Sequence, residues 1–157
     1  MAADVISATL AYYDTLSFSG RPGIYFDEAP AKTTAGAALT PPYVVLKDDG
    51  TTPDYTLESV PVETTRVRFL VYAKGLADAV AVASGIKYDG GTAVQRQGFD
   101  FVAPDDFPLA SAAGVLLDGG FVRTREKRSV VPDRLDGSRV HLVELSYTVV
   151  TRVGNSP

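Results

Sequence analysis

Residues 62–85 read VETTRVRFLVYAKGLADAVAVASG, a stretch that indicates the fold because a strand pattern changes directly into a helix pattern. Over residues 62–74 the side chains alternate, so one face of the predicted strand is apolar and the other begins basic. The apolar face carries Val67, Phe69, Val71 and Ala73. The helical stretch 76–84 aligns Leu76, Ala79, Val80 and Ala83. Gly85 is a typical helix end, so a short helix that packs on a sheet is predicted.

Upstream, residues 4–18 have the periodicity of an amphipathic helix. Its apolar positions are Val5, Thr9, Tyr12 and Leu16, with Ile6, Leu10 and Tyr13 beside them. Asp4 is a suitable N-cap, and the Gly- and Pro-containing residues 19–23 end the helix. Residues 24–26, Ile-Tyr-Phe, are predicted to form a short strand.

Two polar stretches flank the next predicted strand, residues 43–47. Residues 27–42 hold five Ala, three Thr and three Pro, with Leu39 as the only large apolar side chain, so no core is expected to anchor them. Residues 48–50, Asp-Asp-Gly, are expected to turn the chain into a second polar loop at 51–61. Long loops in a compact domain usually bind something or are disordered, so we expect both to be mobile.

A glycine-containing pattern occurs twice in the second half of the chain. Residues 85–91 and 114–120 each begin with Gly and a β-branched residue and end in Asp-Gly-Gly. Both are interpreted as strand-to-turn transitions, related either by shared turn chemistry or by duplication. Between them, residues 103–113 contain two prolines and are expected to form a third mobile loop.

The last two strands are predicted at residues 121–130 and 139–153, and a loop at 133–138 joins them as an antiparallel pair. The predicted fold class is therefore α+β: a mixed, largely antiparallel sheet of four to five strands, with the N-terminal helix and a second short helix packed on it. Residues 1–157 are expected to form one domain, with mobile loops near 27–42, 51–61 and 103–113.

Composition excludes several classes of protein. The chain has 157 residues and no cysteine, so disulfides, thiolate zinc sites and a cysteine nucleophile are excluded. With 15 Lys and Arg against 19 Asp and Glu, the net charge is −4, which argues against sequence-blind adhesion to nucleic acid or anionic lipid. The acidic start and the lack of a long apolar run predict no membrane segment and synthesis in the cytoplasm.

Little catalytic chemistry is predicted. A serine triad would need His141, the one histidine, which we interpret as a structural residue of the last strand. The acidic pairs Asp48-Asp49 and Asp105-Asp106 fit no calcium-loop pattern and are interpreted as turn residues. No phosphate-binding glycine motif is present, so no cofactor, no metal and no enzymatic activity are predicted.

Charge is unevenly distributed along the chain. Six of the 15 basic residues lie within positions 123–139, while acidic residues concentrate at 27–63 and 100–106. On the predicted strand 121–130, Arg123, Arg125 and Lys127 are expected to share one face, joined by Arg66 and Arg68 if the two strands are neighbours. We consider three interpretations: a solvated sheet face, a subunit interface in which the basic pole of one copy meets the acidic loops of the next, and a nucleic-acid-binding face. The candidate interface residues are Arg66, Arg68, Arg123, Arg125, Lys127, Arg128, Asp48, Asp49, Asp105 and Asp106.

The order of elements resembles the tail terminator, or tail completion, proteins of long-tailed bacteriophages. The resemblance is carried by the N-terminal helix, the proline-ended loop into Pro42-Tyr43-Val44-Val45-Leu46, the strand 67–73 that continues into the helix 76–84, and the long last strand 140–153. It covers most of the chain.

This resemblance implies a structural virion protein without catalytic residues. It implies a homo-oligomeric ring, usually of six copies, that caps the tail tube and contacts the tube protein and the head connector or stopper protein. Genomic DNA would pass through the lumen without specific binding. The protein would be made in the cytoplasm of the host bacterium and reside in the neck region of the virion.

Two other classes stay open at this point. A head-closure or tail-tube subunit would share the ring and the absence of chemistry. A small-molecule binding module would instead use the sheet face and the hydroxyls of Tyr12, Tyr13, Tyr72 and Tyr88. An enzyme would require a pocket that joins His141 to a serine and a carboxylate.

Overall fold

The computed structural model describes residues 5–55, 61–89, 98–109 and 114–152. Two α-helices, two short 3-10 helices and five strands make up these ranges. They are α1 (Val5–Thr15), β1 (Ile24–Phe26), β2 (Tyr43–Tyr55), β3 (Pro61–Ala73), α2 (Leu76–Tyr88), the 3-10 helices Phe99–Phe101 and Pro104–Asp106, β4 (Val115–Pro132) and β5 (Arg139–Arg152). The predicted α+β class is confirmed, including the N-terminal helix and the second helix directly after β3.

The five strands form one sheet in the order β1-β2-β3-β5-β4. Only β1 runs parallel to its neighbour, and all other pairs are antiparallel, as predicted for a mixed, largely antiparallel sheet. The short strand β1 is confirmed. β3 and β5 lie in the interior of the sheet, and each alternates apolar residues towards one side, which fixes their register because a one-residue slip would expose the whole apolar set.

Both helices cover the same side of the sheet, which we call the helix face; the other side is the open face. The main core lies under the helices and joins α1, α2, all four long strands and the segment 98–109. Its largest fully buried side chains include Tyr13, Tyr147, Phe69 and Phe99. Chains without disulfides depend on such packing, and each fully buried large side chain contributes about 1.5–3 kcal/mol.

The predicted turn at 48–50 and loop at 51–61 are wrong where the structure describes them. β2 continues through Tyr55, pairing Thr51 with Thr65 and Tyr55 with Pro61, so the polar residues form the end of a long hairpin. Asp48-Asp49-Gly50 is a β-bulge inside β2, in which the Asp48 carboxylate accepts the Gly50 N–H at 2.9 Å. The strand persists because backbone pairing does not need an apolar side chain.

The two Asp-Gly-Gly repeats also differ from the expected turns. α2 continues through Gly85 to Tyr88 and ends at Asp89, whose N–H donates to the Gly85 carbonyl. The second repeat lies inside β4, where the pairing with β5 is interrupted between Leu116 and Phe121. Gly119 has a φ of +67° there, so the glycine serves an irregularity within a strand. The rest of the first repeat and the proposed N-cap Asp4 lie outside the described residues.

Residues 27–42 pack on the open face, contrary to the expectation that no core anchors them. Leu39 and Ala29 are buried in a second, smaller cluster against the sheet. Arg134, from the β4–β5 loop, donates hydrogen bonds to the carbonyls of Ala29 and Pro30. Two apolar contacts and a bridging arginine therefore hold a segment whose composition is that of a loop.

The segment predicted as a loop at 103–113 contains the 3-10 helix Pro104–Asp106. The next residue, Phe107, is buried in the main core. Residues 110–113 lie outside the described ranges. The mobility of all three segments stays a prediction, which amide exchange would test.

Replacing Gly85 with alanine is expected to destabilise the protein by about 1–2 kcal/mol, although alanine is the better helix former. Gly85 is buried within α2, and a Cβ at this position would overlap the ring of Phe18. Steric overlap with a packed ring outweighs the gain in helix propensity. Urea unfolding measures the difference.

Gly23→Ala is the matched control. Its added Cβ would lie 3.4 Å from the Tyr25 hydroxyl, an ordinary contact, so stability should change by less than about 0.5 kcal/mol. Stabilisation by Gly85→Ala would show that Phe18, three residues after the end of α1, does not pack closely against Gly85 of α2.

Candidate subunit interface

Four of the predicted basic residues converge on the open face. On β3, Arg66 and Arg68 lie opposite Thr148 and Ser146 of β5. On β4, Arg125 lies opposite the same Ser146, and Lys127 is opposite Glu144. The sequence predicted this convergence only for neighbouring strands, but β3 and β4 are not neighbours. β5 lies between them, and the long basic side chains meet across it.

Arg123 and Arg128 lie on the other side of the sheet, which corrects the prediction that Arg123, Arg125 and Lys127 share a face. A register shift occurs between Arg123 and Arg125, with Thr124 as the additional residue. One extra residue reverses the alternation, so Arg123 is opposite Tyr147 on the helix face. Arg128, opposite Val143, lies on the helix face as well.

On the helix face, Arg123 belongs to an ion-pair network within the monomer. Its guanidinium contacts Asp100 at 3.0 Å through Nη2 and at 3.2 Å through Nε. The buried Tyr147 hydroxyl donates to the same carboxylate at 2.7 Å. Burial, followed by this hydrogen bond and the Asp100 charge, raises the pKa of Tyr147 far above its ordinary value. These charges are neutralised internally, so Arg123 has a structural role.

Glu126 extends the network on β4. Its carboxylate contacts Lys87 at 2.9 Å, Arg123 at 3.3 Å and Arg128 at 3.5 Å. Lys87 comes from α2, so the network connects helix and sheet. Sequence reasoning missed Asp100, Lys87 and Glu126. No local motif links Lys87 to Glu126 or Asp100 to Arg123, because these partners are 39 and 23 residues apart in the chain.

Acidification should remove stability through Glu126. Burial raises the pKa of this carboxyl, but the hydrogen bond and charge of Lys87 together with Arg123 and Arg128 outweigh it, so the pKa is lowered from 4.5. The folded state then binds fewer protons than the unfolded state, so the stabilisation is complete above pH 4.5 and is lost as the pH falls through the lower folded-state value.

Glu126→Gln is expected to lower the free energy of unfolding by about 1 kcal/mol at neutral pH. It should also reduce the further loss of stability at acidic pH. Urea midpoints measured across a pH series check this. Glu28→Gln, at an exposed carboxyl without an ion pair among the described residues, is the control and should behave as the wild type. If Glu126→Gln lost as much stability at acidic pH as the wild type, Glu126 would not be the group responsible.

On the open face, the Arg68 charge is also neutralised within the monomer. Its guanidinium contacts Asp49 at 2.7 Å and Glu144 at 3.1 Å. The hydrogen bond to Asp49 is the main reason that the pKa of Arg68 is raised. Asp49, predicted as an acidic interface residue, therefore has a partner on its own chain. Asp48 is exposed and accepts the Gly50 N–H of its bulge.

Three of the four predicted basic side chains on the open face are left, and we call them the basic patch: Arg66, Arg125 and Lys127. Within the ranges that the structure describes, none of them forms an ion pair, and Arg66 makes one 3.4 Å hydrogen bond, to Thr52. Arg66 and Arg125 border a depression of about 340 Å³. Its other lining residues are Asp49, Val67, Thr124, Ser146, Tyr147 and Thr148. The depression combines positive charge with hydroxyl groups.

The acidic pair Asp105-Asp106 lies on the opposite side of the molecule. Both residues are exposed and belong to the 3-10 helix Pro104–Asp106. Phe107 follows and packs in the main core against Tyr12 and Phe121, which places this segment on the helix face. Neither carboxylate forms an ion pair in the described part of the chain. The unneutralised basic and acidic groups thus face opposite directions.

A second depression of about 340 Å³ lies at the other end of the open face, beside residues 27–30. Tyr43 and Tyr72 stack there with ring centroids 5.0 Å apart, and the Arg134 guanidinium lies 5.4 Å from the Tyr43 ring. The four tyrosines of the small-molecule hypothesis do not converge on it. Tyr72 borders it, whereas Tyr12 and Tyr13 are buried in the main core and Tyr88 contacts Phe101.

His141 lies on β5 between Ala73 and Val130 and is half-buried. No hydrogen bond or ion pair from another described residue reaches its imidazole, so no triad is assembled around it in those ranges. The same ranges contain no group of three metal-binding side chains, and none of their helices has the length and apolar composition of a membrane span.

Comparisons with known proteins concern the fold. The sequence matches no model of a protein family, and no curated protein matches it. Among solved structures, the fold is similar to that of a chain in the virion of a native gene transfer agent (GTA) particle. The similarity has a TM-score of 0.52 at 16% sequence identity and covers 92% of this chain and 84% of that chain. The likeness therefore extends over nearly the whole length of both chains.

Proposed function

We propose that the chain is a structural virion protein that forms a ring of six copies at the end of a phage tail tube. The ring caps the tube and joins it to the head connector or stopper protein. The observation that carries this proposal is the fold shared with a chain of a virion particle over 92% of the present chain. The order of elements that resembles tail terminator proteins supports the same role. No catalytic step is part of it.

The distribution of charge supports a ring. Arg68, Arg123 and Arg128 are paired within the monomer, whereas the basic patch and the pair Asp105-Asp106 are unpaired among the described residues and face opposite directions. A contact between two different surfaces repeats from copy to copy, and it closes into a ring when the rotation permits.

The net charge fits passage of DNA. At −4 per copy, six copies carry roughly −24, and a negative ring repels the DNA backbone instead of retaining it. Genomic DNA would then cross the lumen without specific binding. This expectation requires that the basic patch is covered in the ring.

Imaging tests the proposal directly. Purified protein is added to tail tubes isolated from the particle whose genome encodes the chain, and the tube ends are imaged by electron cryomicroscopy. We expect a ring of density at one end of each tube and none along its length. Tubes incubated with an unrelated acidic protein of similar mass are the control.

The alternative roles give different images. Density that extends along the tube would identify a tail-tube subunit, and density on the head portal without tube binding would identify a head-closure protein. Protein that binds neither structure would contradict a role in the neck or tail.

A further inference from the structure

We infer that the depression between Arg66 and Arg125 receives the carboxylates of Asp105 and Asp106 from the next copy of the chain. This inference rests on the proposed ring and names the groups that join its subunits. It reduces the ten candidate interface residues of the sequence analysis to five: Arg66, Arg125, Lys127, Asp105 and Asp106.

The depression has the chemistry of a carboxylate receptor. Two guanidinium groups flank it, and guanidinium forks bind carboxylates through two parallel hydrogen bonds. The hydroxyls of Ser146 and Thr148 line the same space and supply further donors, whereas the Thr124 hydroxyl already donates to the Ser146 carbonyl. The Asp49 carboxylate also borders the depression, but Arg68 neutralises its charge. The bulge at Thr124 is what aims Arg125 towards this face, because it reverses the alternation that places Arg123 on the other.

Arg66 and Arg125 retain the capacity to bind an anion. Their neighbour Arg68 already has two carboxylate partners, Asp49 and Glu144. Arg66 and Arg125 have none on their own chain within the described ranges. Lys127, two residues further along β4 on the same face, adds a third positive charge to the patch.

Asp105-Asp106 is the acidic group that best fits this receptor. Most other described carboxylates already have partners within the monomer. Those in ion pairs are Asp14, Asp27, Asp49, Asp100, Glu126 and Glu144. Asp48, Asp133 and Asp136 accept backbone N–H groups in bulges and turns, and Asp89 accepts the N–H of the distant Ser17. Asp105 and Asp106 are instead adjacent, exposed and held on a short 3-10 helix that Phe107 anchors in the core.

The geometry favours a second copy as the partner of the patch. The acidic pair lies on the helix face and the basic patch on the open face, so the two cannot meet within one chain but can meet between neighbours. Every copy carries both the basic patch and the acidic pair, so each copy can bind one neighbour through its patch and another through its acidic pair. The contact should weaken with salt because charges at a rim are screened.

Charge exchange tests this assignment. The first variant, R66E/R125E, reverses the patch; the second, D105R/D106R, reverses the acidic pair. Like charges would then face each other, so each variant alone should assemble at least about a hundredfold less well than the wild type. Assembly is measured by sedimentation velocity in dilute salt and by ring density on isolated tail tubes.

Two combinations should restore assembly to within about tenfold of the wild type, since a reversed ion pair is not expected to reproduce the original geometry. One is the chain that carries all four substitutions. The other is an equimolar mixture of the two double variants, which can alternate around a ring with an even number of copies. K74E/R139E is the control: it reverses two exposed charges outside the patch and should assemble as the wild type does. Circular dichroism and thermal unfolding verify that all variants are folded.

The outcomes separate the inference from the proposed function. If the wild type forms rings and R66E/R125E forms them equally well, the contact is wrong while the ring stands. If both double variants fail and neither combination restores assembly, the patch and the acidic pair do not meet. If R66E/R125E loses only binding to duplex DNA, the patch binds nucleic acid and the inference is overturned. Absence of wild-type assembly, with and without tubes, would overturn both.

Discussion

Phe99→Ala should lower the free energy of unfolding by about 3–5 kcal/mol, the largest effect expected of any single substitution considered for this chain. Phe99 is fully buried although it belongs to a 3-10 helix of three residues. Its ring centroid lies 5.1 Å from that of Tyr12, 4.8 Å from Phe69 and 5.2 Å from Phe121. One side chain thus connects α1, β3 and β4, and its removal leaves a cavity that all three elements line.

Urea unfolding of the purified variant measures this change, and Phe101→Ala is the matched control. Phe101 belongs to the same 3-10 helix but is 43% exposed, so its truncation should cost less than about 1 kcal/mol. Equal losses from the two variants would show that the segment 98–101 does not pack into the core as described.

Asp100→Ala should lower stability by about 2–4 kcal/mol. The carboxylate is 14% exposed and accepts hydrogen bonds from the buried Tyr147 hydroxyl and the Arg123 guanidinium. Its removal leaves a buried hydroxyl without an acceptor and a partly buried cation without its counter-ion. The estimate lies below that for a fully buried ion pair because Arg123 is 29% exposed to solvent.

A double-mutant cycle with Tyr147→Phe isolates the hydrogen bond. Tyr147→Phe removes the donor and keeps the ring, so Asp100→Ala should cost less in that background than in the wild type. Purely additive losses would contradict the coupling.

Alkaline unfolding gives a second measurement of the same site. The pKa of Tyr147 is raised from 10, so the folded state retains this proton when the unfolded state has released it. The stabilisation is present below pH 10 and is lost as the pH rises above it. Tyr147→Phe should reduce the loss of stability above pH 10.

The predicted basic interface residues show where the alternation of side chains along a strand stops being a reliable guide to the face of the sheet. For β3 the alternation predicted the faces correctly, and Arg66 and Arg68 lie together on the open face. For β4 the same rule placed Arg123 with Arg125 and Lys127, and it was wrong for Arg123. A β-bulge adds one residue to one strand, here Thr124. Neither Thr124 nor its sequence neighbours signal the bulge, so the pattern alone does not predict it.

Glycines and polar residues caused the other errors. Asp-Asp-Gly at 48–50 and Asp-Gly-Gly at 118–120 have turn chemistry, but each lies within a strand. A positive φ is needed at a bulge as well as at a turn, so the residue types alone do not distinguish the two. Leu39 was expected to lie free because its neighbours are small or polar, whereas a single large side chain is sufficient to dock the segment once the sheet provides a surface.

The sequence by itself determined the class of fold, the side of β3 and β5 that is buried, and the excess of basic charge in the last third of the chain. These properties follow from side-chain periodicity and composition, which are local. Only the tertiary structure decided which charges cancel within the monomer and which stay unpaired among the described residues on opposite faces. That outcome depends on pairs such as Arg68 with Glu144 and Arg123 with Asp100, whose partners are far apart in the chain and are brought together only by the register of the sheet.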